Sequence, residues 1–238
     1  MSRPVRTILA AILLAALIVT GVAIVVPLVA RPMIVAAIQG ESPFGDGHLD
    51  IDVDCNVFGL LQGSVDRIHV RGRDLTRGDV TIGALDVTLT DVATSGHAFG
   101  GADGTLAAIE VPTDDASTIT IDEVTLSGAS SELAAVATLD NAAAVRLIAS
   151  AFADGGVDVT DVELANGTVA FQVFGARAEV PLGVEEGALV LVDPFGQGSF
   201  EVVTPSSEDA WRLTGAGVTP NGMTIQALVD AGRLLESS

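Results

Sequence analysis

The sequence predicts an α+β protein: an antiparallel sheet of about eight to ten strands, one long helix inserted mid-chain, and a single N-terminal transmembrane helix ahead of both. Three observations carry this. Residues 8–30, ILAAILLAALIVTGVAIVVPLVA, hold no charge; most of the chain after Gly40 alternates apolar and polar residues; and one central stretch switches to helical spacing.

A hydrocarbon core takes about 20 helical residues to cross, and the run from Ile8 to Ala30 is long enough. A cleavable signal peptide has an apolar core of roughly 7–15 residues. Residues 1–31 therefore read as a membrane anchor or uncleaved signal, and residues 32–238 as the exported domain. Arg3 and Arg6 precede the run, so the positive-inside rule expects a single-pass protein of the cell membrane with its C-terminal domain on the extracytoplasmic side. Acidic residues begin only at Glu41, yet 31 of them against 11 arginines bring the net charge to −20. Nucleic acid, which needs a basic footprint, is not an expected partner. Cys55 is the one cysteine and forms no internal disulfide.

After a short helix stopping at Gly40 and the linker ESPFGDG, strands follow in order. In HLDIDVDCN, Leu49, Ile51 and Val53 alternate with His48, Asp50, Asp52 and Asp54, the pattern of a strand wet on one face. VDRIHVRGRD sets Ile68 and Val70 against Arg67, His69, Arg71 and Arg73. VTIGALDVTLTDV sets Leu85, Val87 and Leu89 against Asp86, Thr88 and Thr90. Shorter strands are expected at 105–111 and 118–127.

The pattern then changes. In SSELAAVATLDNAAAVRLIASAFADGG, Leu133, Val136, Ala137, Ala144, Leu147, Ile148, Ala151 and Phe152 recur at helical spacing. Ser130 or Ser131 would cap the start and Gly155 the end, with a bend at Asp140, which would cap a second helix. Strands resume at 157–165, 168–175, 177–184, 187–193 and 198–204, with two more to follow. Asn166-Gly167 and Asn221-Gly222 stand between alternating segments as hairpin signals. Each strand has one apolar face, so the sheet must close over apolar material, either the helix or a lipid.

His48, Asp50, Asp52 and Asp54 are metal-ligand residue types, but same-face side chains on a straight strand stand about 7 Å apart, too far to converge on one ion. A solvated face is the better reading, and no metal or cofactor is expected. Arg67, Arg71, Arg73 and Arg77 crowd one segment, and guanidinium suits phosphate. If 48–56 and 65–73 form a hairpin, however, the Asp and Arg stripes share its outer face, and pairing between them is the simpler explanation. Phe58, Leu60 and Leu61 would sit in the connection, folded under the sheet end or exposed as a lip against a bilayer; Phe195 beside Pro194 is a similar aromatic. No Gly-x-Ser-x-Gly elbow, His-Glu-x-x-His, Cys-x-x-Cys or Gly-Lys-Ser/Thr loop is present. His48, His69 and His97 lack nucleophile partners, so an enzyme is not expected.

The order of a helix, FGLLQGSVDRIHVRGRDLTRGDVTIGALDVTLTDV, a second helix, then NGTVAFQV and VTPNGMTIQALV resembles the LmeA-like family of actinobacterial envelope proteins over roughly residues 32–230. The best match runs from Phe58 to Val92, where a Phe-x-Leu-Leu-type loop ends in Gly and leads to a strand, a tight turn and another strand; Asn56-Val57 stand where the family usually has a Pro before its Phe. The resemblance implies a tubular lipid-binding fold, a long curled antiparallel sheet wrapped around a long helix, with an apolar groove for acyl chains. It also implies a membrane phospholipid or phosphoinositide-type lipid as partner, and a place in the cell envelope linked to mannolipid elongation.

On that resemblance Leu49, Ile51, Val53, Ile68, Val70, Leu85, Val87, Leu89, Leu147, Ile148 and Phe152 line the groove. Phe58, Leu60 and Leu61 form its lip, and Arg67, Arg71, Arg73 and Arg77 are the headgroup candidates. The expected function is a membrane-anchored envelope protein that binds or shuttles phospholipid-type ligands and supports envelope glycolipid synthesis. A ligand-free scaffold for an envelope enzyme or other protein partner is the alternative.

Overall fold

The computed structural model describes residues 47–236 except 57–58, 60–61, 78, 94–97, 113–117, 193–198 and 207–208. The apolar run at 8–30, the helix and linker up to Asp46, and Phe58, Leu60, Leu61, His97 and Phe195 lie outside the described residues, as does the side chain of Arg77.

The strictest alternation makes the first strand. β1 (His48–Asp54) buries Leu49, Ile51 and Val53 and exposes the residues between them. It pairs with β2 (Ser64–Arg77), and an antiparallel meander continues through β3 (Val80–Ala93), β4 (Gly101–Pro112), β5 (Thr118–Ala129) and β6 (Glu132–Asp140). Helix α1 (Asn141–Asp154) follows, then β7 (Val159–Leu164), β8 (Thr168–Val173), β9 (Ala176–Glu185), β10 (Ala188–Val192), β11 (Ser199–Val203), β12 (Trp211–Thr219), β13 (Gly222–Val229) and α2 (Ala231–Glu236). One sheet has the order β1-β2-β3-β4-β5-β6-β13-β12 and the other β11-β10-β9-β8-β7.

The expected fold class is corrected here. The chain is mostly antiparallel sheet, and among the described residues no long helix runs through it. Residues 132–140, expected as the first half of that helix, are β6, a central strand held between β5 and β13. Leu133, Ala135, Ala137 and Leu139 all face the core at period two, so the same letters satisfy both periods, and two flanking strands with unpaired backbone decide between them. What remains is α1, about 21 Å long at 1.5 Å per residue. Among the described residues no helix is long and apolar enough to cross a membrane.

The large sheet curls by a crease and needs no axial helix to wrap on. Buried Gly72, Leu85, Leu106 and Val124 stand in register across β2–β5, and so do buried Leu75, Ile82, Ile109 and Ile121. Each strand has two residues between these rows instead of one. Asp74 (φ 51°) and Ala108 (φ 52°) adopt left-handed backbone in that gap, as bulged residues do when they bend a strand and raise its twist. Between them Gly83 has no room for a side chain: a Cβ there would lie 2.9 Å from the Ala108 Cβ.

Asp140 ends β6 and starts α1, as the bend in the sequence suggested. Its Oδ1 accepts from the Ala143 N–H at 2.7 Å, filling one of the donors a helix start leaves open. The C-terminus closes on Gly155-Gly156: Gly156 N–H donates to the Ala153 carbonyl at 3.0 Å and Val157 N–H to the Phe152 carbonyl at 2.9 Å. Gly156 has φ 73°, which makes this a Schellman closure. Asp140→Ala is expected to cost about 1 kcal/mol, read as a lower urea midpoint with unchanged slope; no shift would mean that water replaces the cap.

β12 joins the two sheets. Leu213 N–H donates to the Gly187 carbonyl (3.2 Å) and Gly167 N–H to the Val218 carbonyl (3.0 Å), tying β12 to the β9–β10 and β7–β8 turns. α1 packs on β5, β6 and β13 of one sheet and on β7 and β11 of the other. A single apolar cluster thus draws on both sheets and α1.

Candidate functional site

The charged face of β1–β3 is one candidate. The β1–β2 register sets Asp50 opposite Arg71, Asp52 opposite His69 and Asp54 opposite Arg67, all on the side away from the core. Arg71 Nη2 meets Asp50 Oδ2 at 3.0 Å, and His69 Nε2 meets Asp86 Oδ1 on β3 at 2.8 Å. Arg67 and Arg73 make no ion pair among the described residues. A hollow of about 410 Å³ here is lined by His48, Asp50, Arg71, Arg73 and Asp86, among others. Its two guanidinium groups stand with two carboxylates, so an entering anion meets little net positive charge. The pairs are largely exposed and contribute about 0–1 kcal/mol each.

The opposite face of the same strands holds the groove candidates. Leu49, Ile51, Val53, Ile68, Val70, Leu85, Val87 and Leu89 are buried, and with Leu147, Ile148 and Phe152 of α1 they pack into the common core. The connection that carries the lip candidates is closed at its base by Asn56. Its backbone N–H and Nδ2 both donate to Asp66 Oδ2 (3.1 and 2.8 Å), and its Oδ1 accepts from Gly59 N–H at 2.6 Å.

A second candidate lies where α1 ends against β11. A cavity of about 650 Å³ opens there, within the 300–1,000 Å³ usual for small-ligand sites. Ala151, Gly155, Phe200, Val202 and Pro205 supply apolar wall; Asp154, Ser199, Glu201, Thr204 and Ser206 supply polar rim. The Phe200 ring stacks on Phe152 (centroids 4.4 Å, 21°), and Phe152 leans on Phe171 of β8 (4.7 Å, 55°). This aromatic ladder leads from the cavity wall into the core. Gly155 lets the wall close in, since a Cβ there would lie 3.0 Å from the Phe200 ring.

Of the residues expected to meet acyl chains, only Phe152 belongs to this ladder. Ala151 was placed on the apolar helix face but not in the groove; Phe200 and Phe171 were not singled out, and SFEVV breaks strict alternation, so no face could be assigned to Phe200 from sequence. Arg67, Arg71 and Arg73 lie on the solvent face of the other sheet, and none of them lines the cavity. Among the described residues no three His, Cys, Asp or Glu side chains are grouped to hold a metal, and no buried side-chain nitrogen or oxygen lacks a hydrogen-bond partner.

A family model described as LmeA-like phospholipid-binding matches residues 22–227. No curated protein and no solved structure matches the chain.

Proposed function

The chain belongs to the LmeA-like phospholipid-binding family, and from that premise we propose that it is a membrane-anchored cell-envelope protein holding a phospholipid by an acyl chain in the cavity between α1 and β11. The observation that carries the placement is the ladder Phe200–Phe152–Phe171 behind an open, largely apolar wall. Each CH₂ withdrawn from water is worth about 0.8 kcal/mol, so an acyl chain leaves a bilayer readily only where such a wall receives it. The uncharged run at 8–30 and the preceding Arg3 and Arg6 support anchoring with the domain outside the cytoplasm. In this reading Arg67, Arg71 and Arg73 do not hold the headgroup, because they stand on the solvent face of the other sheet. The uncharged polar groups at hand are Ser199, Thr204 and Ser206, which share the rim with the carboxylates of Asp154 and Glu201.

Native mass spectrometry of the full chain, purified from producing cells in mild detergent, should return one retained phospholipid per chain, and a fluorescent-acyl phospholipid should be taken up to the same stoichiometry. Ala151→Phe, which fills the cavity from the helix side, should weaken that uptake about tenfold or more, a loss of about 1.4 kcal/mol, without changing the far-UV circular dichroism. Lipid held only by the apolar run would be indifferent to the substitution.

A ligand-free scaffold is the second reading, favoured by the filled interior of the large sheet, where Ile68, Leu89, Leu106, Ile109 and Ile121 are completely covered. Absence of both retained phospholipid and uptake in the parent chain would decide for it.

A further inference from the structure

The hairpin between β8 and β9 turns on Phe174-Gly175, with Val173 paired to Ala176. Both turn residues have positive φ, 51° and 79°, the geometry of a two-residue type I′ turn. Asn, Asp or Gly normally occupies its first position, because left-handed backbone is costly for a bulky side chain. This chain puts a phenylalanine there, and leaves it 96% exposed. An aromatic that has neither packing nor backbone preference to justify it is placed for something outside the fold.

Its position says what. Phe174 lies three residues beyond Phe171, about 10 Å along the strand, and Phe171 is the inner rung of the ladder behind the cavity. On the neighbouring strand Val159 pairs with Val173, and the segment before Val159 leads straight back to Gly155 on the cavity wall. The tip Val173-Phe174-Gly175-Ala176 carries no charge. We propose that the Phe174 hairpin tip inserts into the phospholipid bilayer and holds the cavity mouth beside it.

This rests on the anchored phospholipid reading in two respects, the tether and the cavity. The stretch from Arg31 to Gly47 spans at most about 60 Å fully extended, so a domain anchored by residues 8–30 meets a bilayer at high effective concentration. Burying one phenylalanine biases the docked state by about 10–100-fold, too little to recruit a free protein and enough to orient a tethered one. The chain's net charge of −20 makes the contact apolar rather than electrostatic, which suits a zwitterionic surface and gains nothing from an anionic one.

The test uses the full chain reconstituted in phosphatidylcholine vesicles. In Phe174→Trp, the tip indole should be quenched by acyl-brominated phosphatidylcholine and emit to the blue, whereas the buried Trp211 of the parent should not respond. Phe174→Asn, which suits the turn better, should slow fluorescent-phospholipid pick-up from the bilayer about tenfold with a thermal midpoint unchanged or raised. An unquenched tip indole overturns the proposal even if one phospholipid is bound per chain, and so does an unchanged pick-up rate in Phe174→Asn. A quenched tip with no phospholipid uptake by any variant supports the tip and removes the cavity reading instead.

Discussion

Phe152→Ala should lower the unfolding free energy by about 3–5 kcal/mol, read as a shift of the urea midpoint followed by Trp211 fluorescence. Phe152 is 4% exposed, and among the described residues its ring is the one that touches both Phe171 and Phe200. Truncation would therefore remove transfer energy, leave a void and break two ring contacts that each contribute about 0.5–1.5 kcal/mol beyond burial. The ring also joins α1 to β8 and β11, so its loss loosens the helix from the small sheet. A domain of this size is stable by about 5–15 kcal/mol, and the variant should sit near the edge of folding. Phe200→Ala should cost less, because Phe200 is only half-buried and borders the cavity. Equal losses at the two positions, or a loss under about 1 kcal/mol at Phe152, would mean that the ladder is no part of the core's cohesion.

How far the fold was legible depends on whether a residue's role is set by its near neighbours. β1, β2 and β3 could be read directly, since Leu49, Ile51 and Val53 alternate without interruption and the charged residues fall between them. The β1–β2 hairpin followed from the two stripes, and Asn166-Gly167 does form the β7–β8 turn. β6 could not be read this way. ELAAVATLD is alanine-rich and fits a helix, yet its state is decided by β5, adjacent in sequence, and by β13, which arrives only at Gly222. Pairing partners that distant leave no local trace, and they override a weak propensity. The division into two sheets was hidden for the same reason. So was the crease across β2–β5, which shows in sequence only as a slipped phase, as from Gly72 to Leu75.

The site was less legible than the fold. The sequence drew attention to charge and to Phe58, Leu60 and Leu61, while the cavity depends on Phe200 meeting Phe152 from a strand that breaks alternation. Phe174 was overlooked because Phe-Gly is no standard turn signal, although QVFGARA between two alternating segments already held the anomaly: a large apolar residue where the chain reverses.

Gly104→Val should unfold or nearly unfold the large sheet, at a cost of about 3 kcal/mol or more, at or above the usual upper range for overpacking. Gly104 lies on β4 opposite Val87 of β3. A Cβ at this position would fall on the Asp86 carbonyl oxygen and within 2.6 Å of the Val87 Cα, with the Val87 Cγ2 at 2.8 Å. Two of these three atoms are backbone, and they can move only if β3 and β4 part. Since the clash begins at Cβ, Gly104→Ala should lose nearly as much, which distinguishes a close-approach glycine from an entropic one. Gly183→Ala is the matched control. Its nearest neighbour would be the Val192 Cγ2 at 3.8 Å and its φ is not positive, so it should be neutral or stabilise by about 0.4–1 kcal/mol through the unfolded chain. The comparison bears on function because Gly104 does not line the cavity between α1 and β11. Gly104→Ala should reduce the folded fraction while each molecule that still folds takes up phospholipid as the parent does, whereas Ala151→Phe should do the reverse. If Gly104→Ala instead weakened uptake per folded molecule, the acyl chain would have to reach the interior of the large sheet, and the site would move there from the α1–β11 cavity.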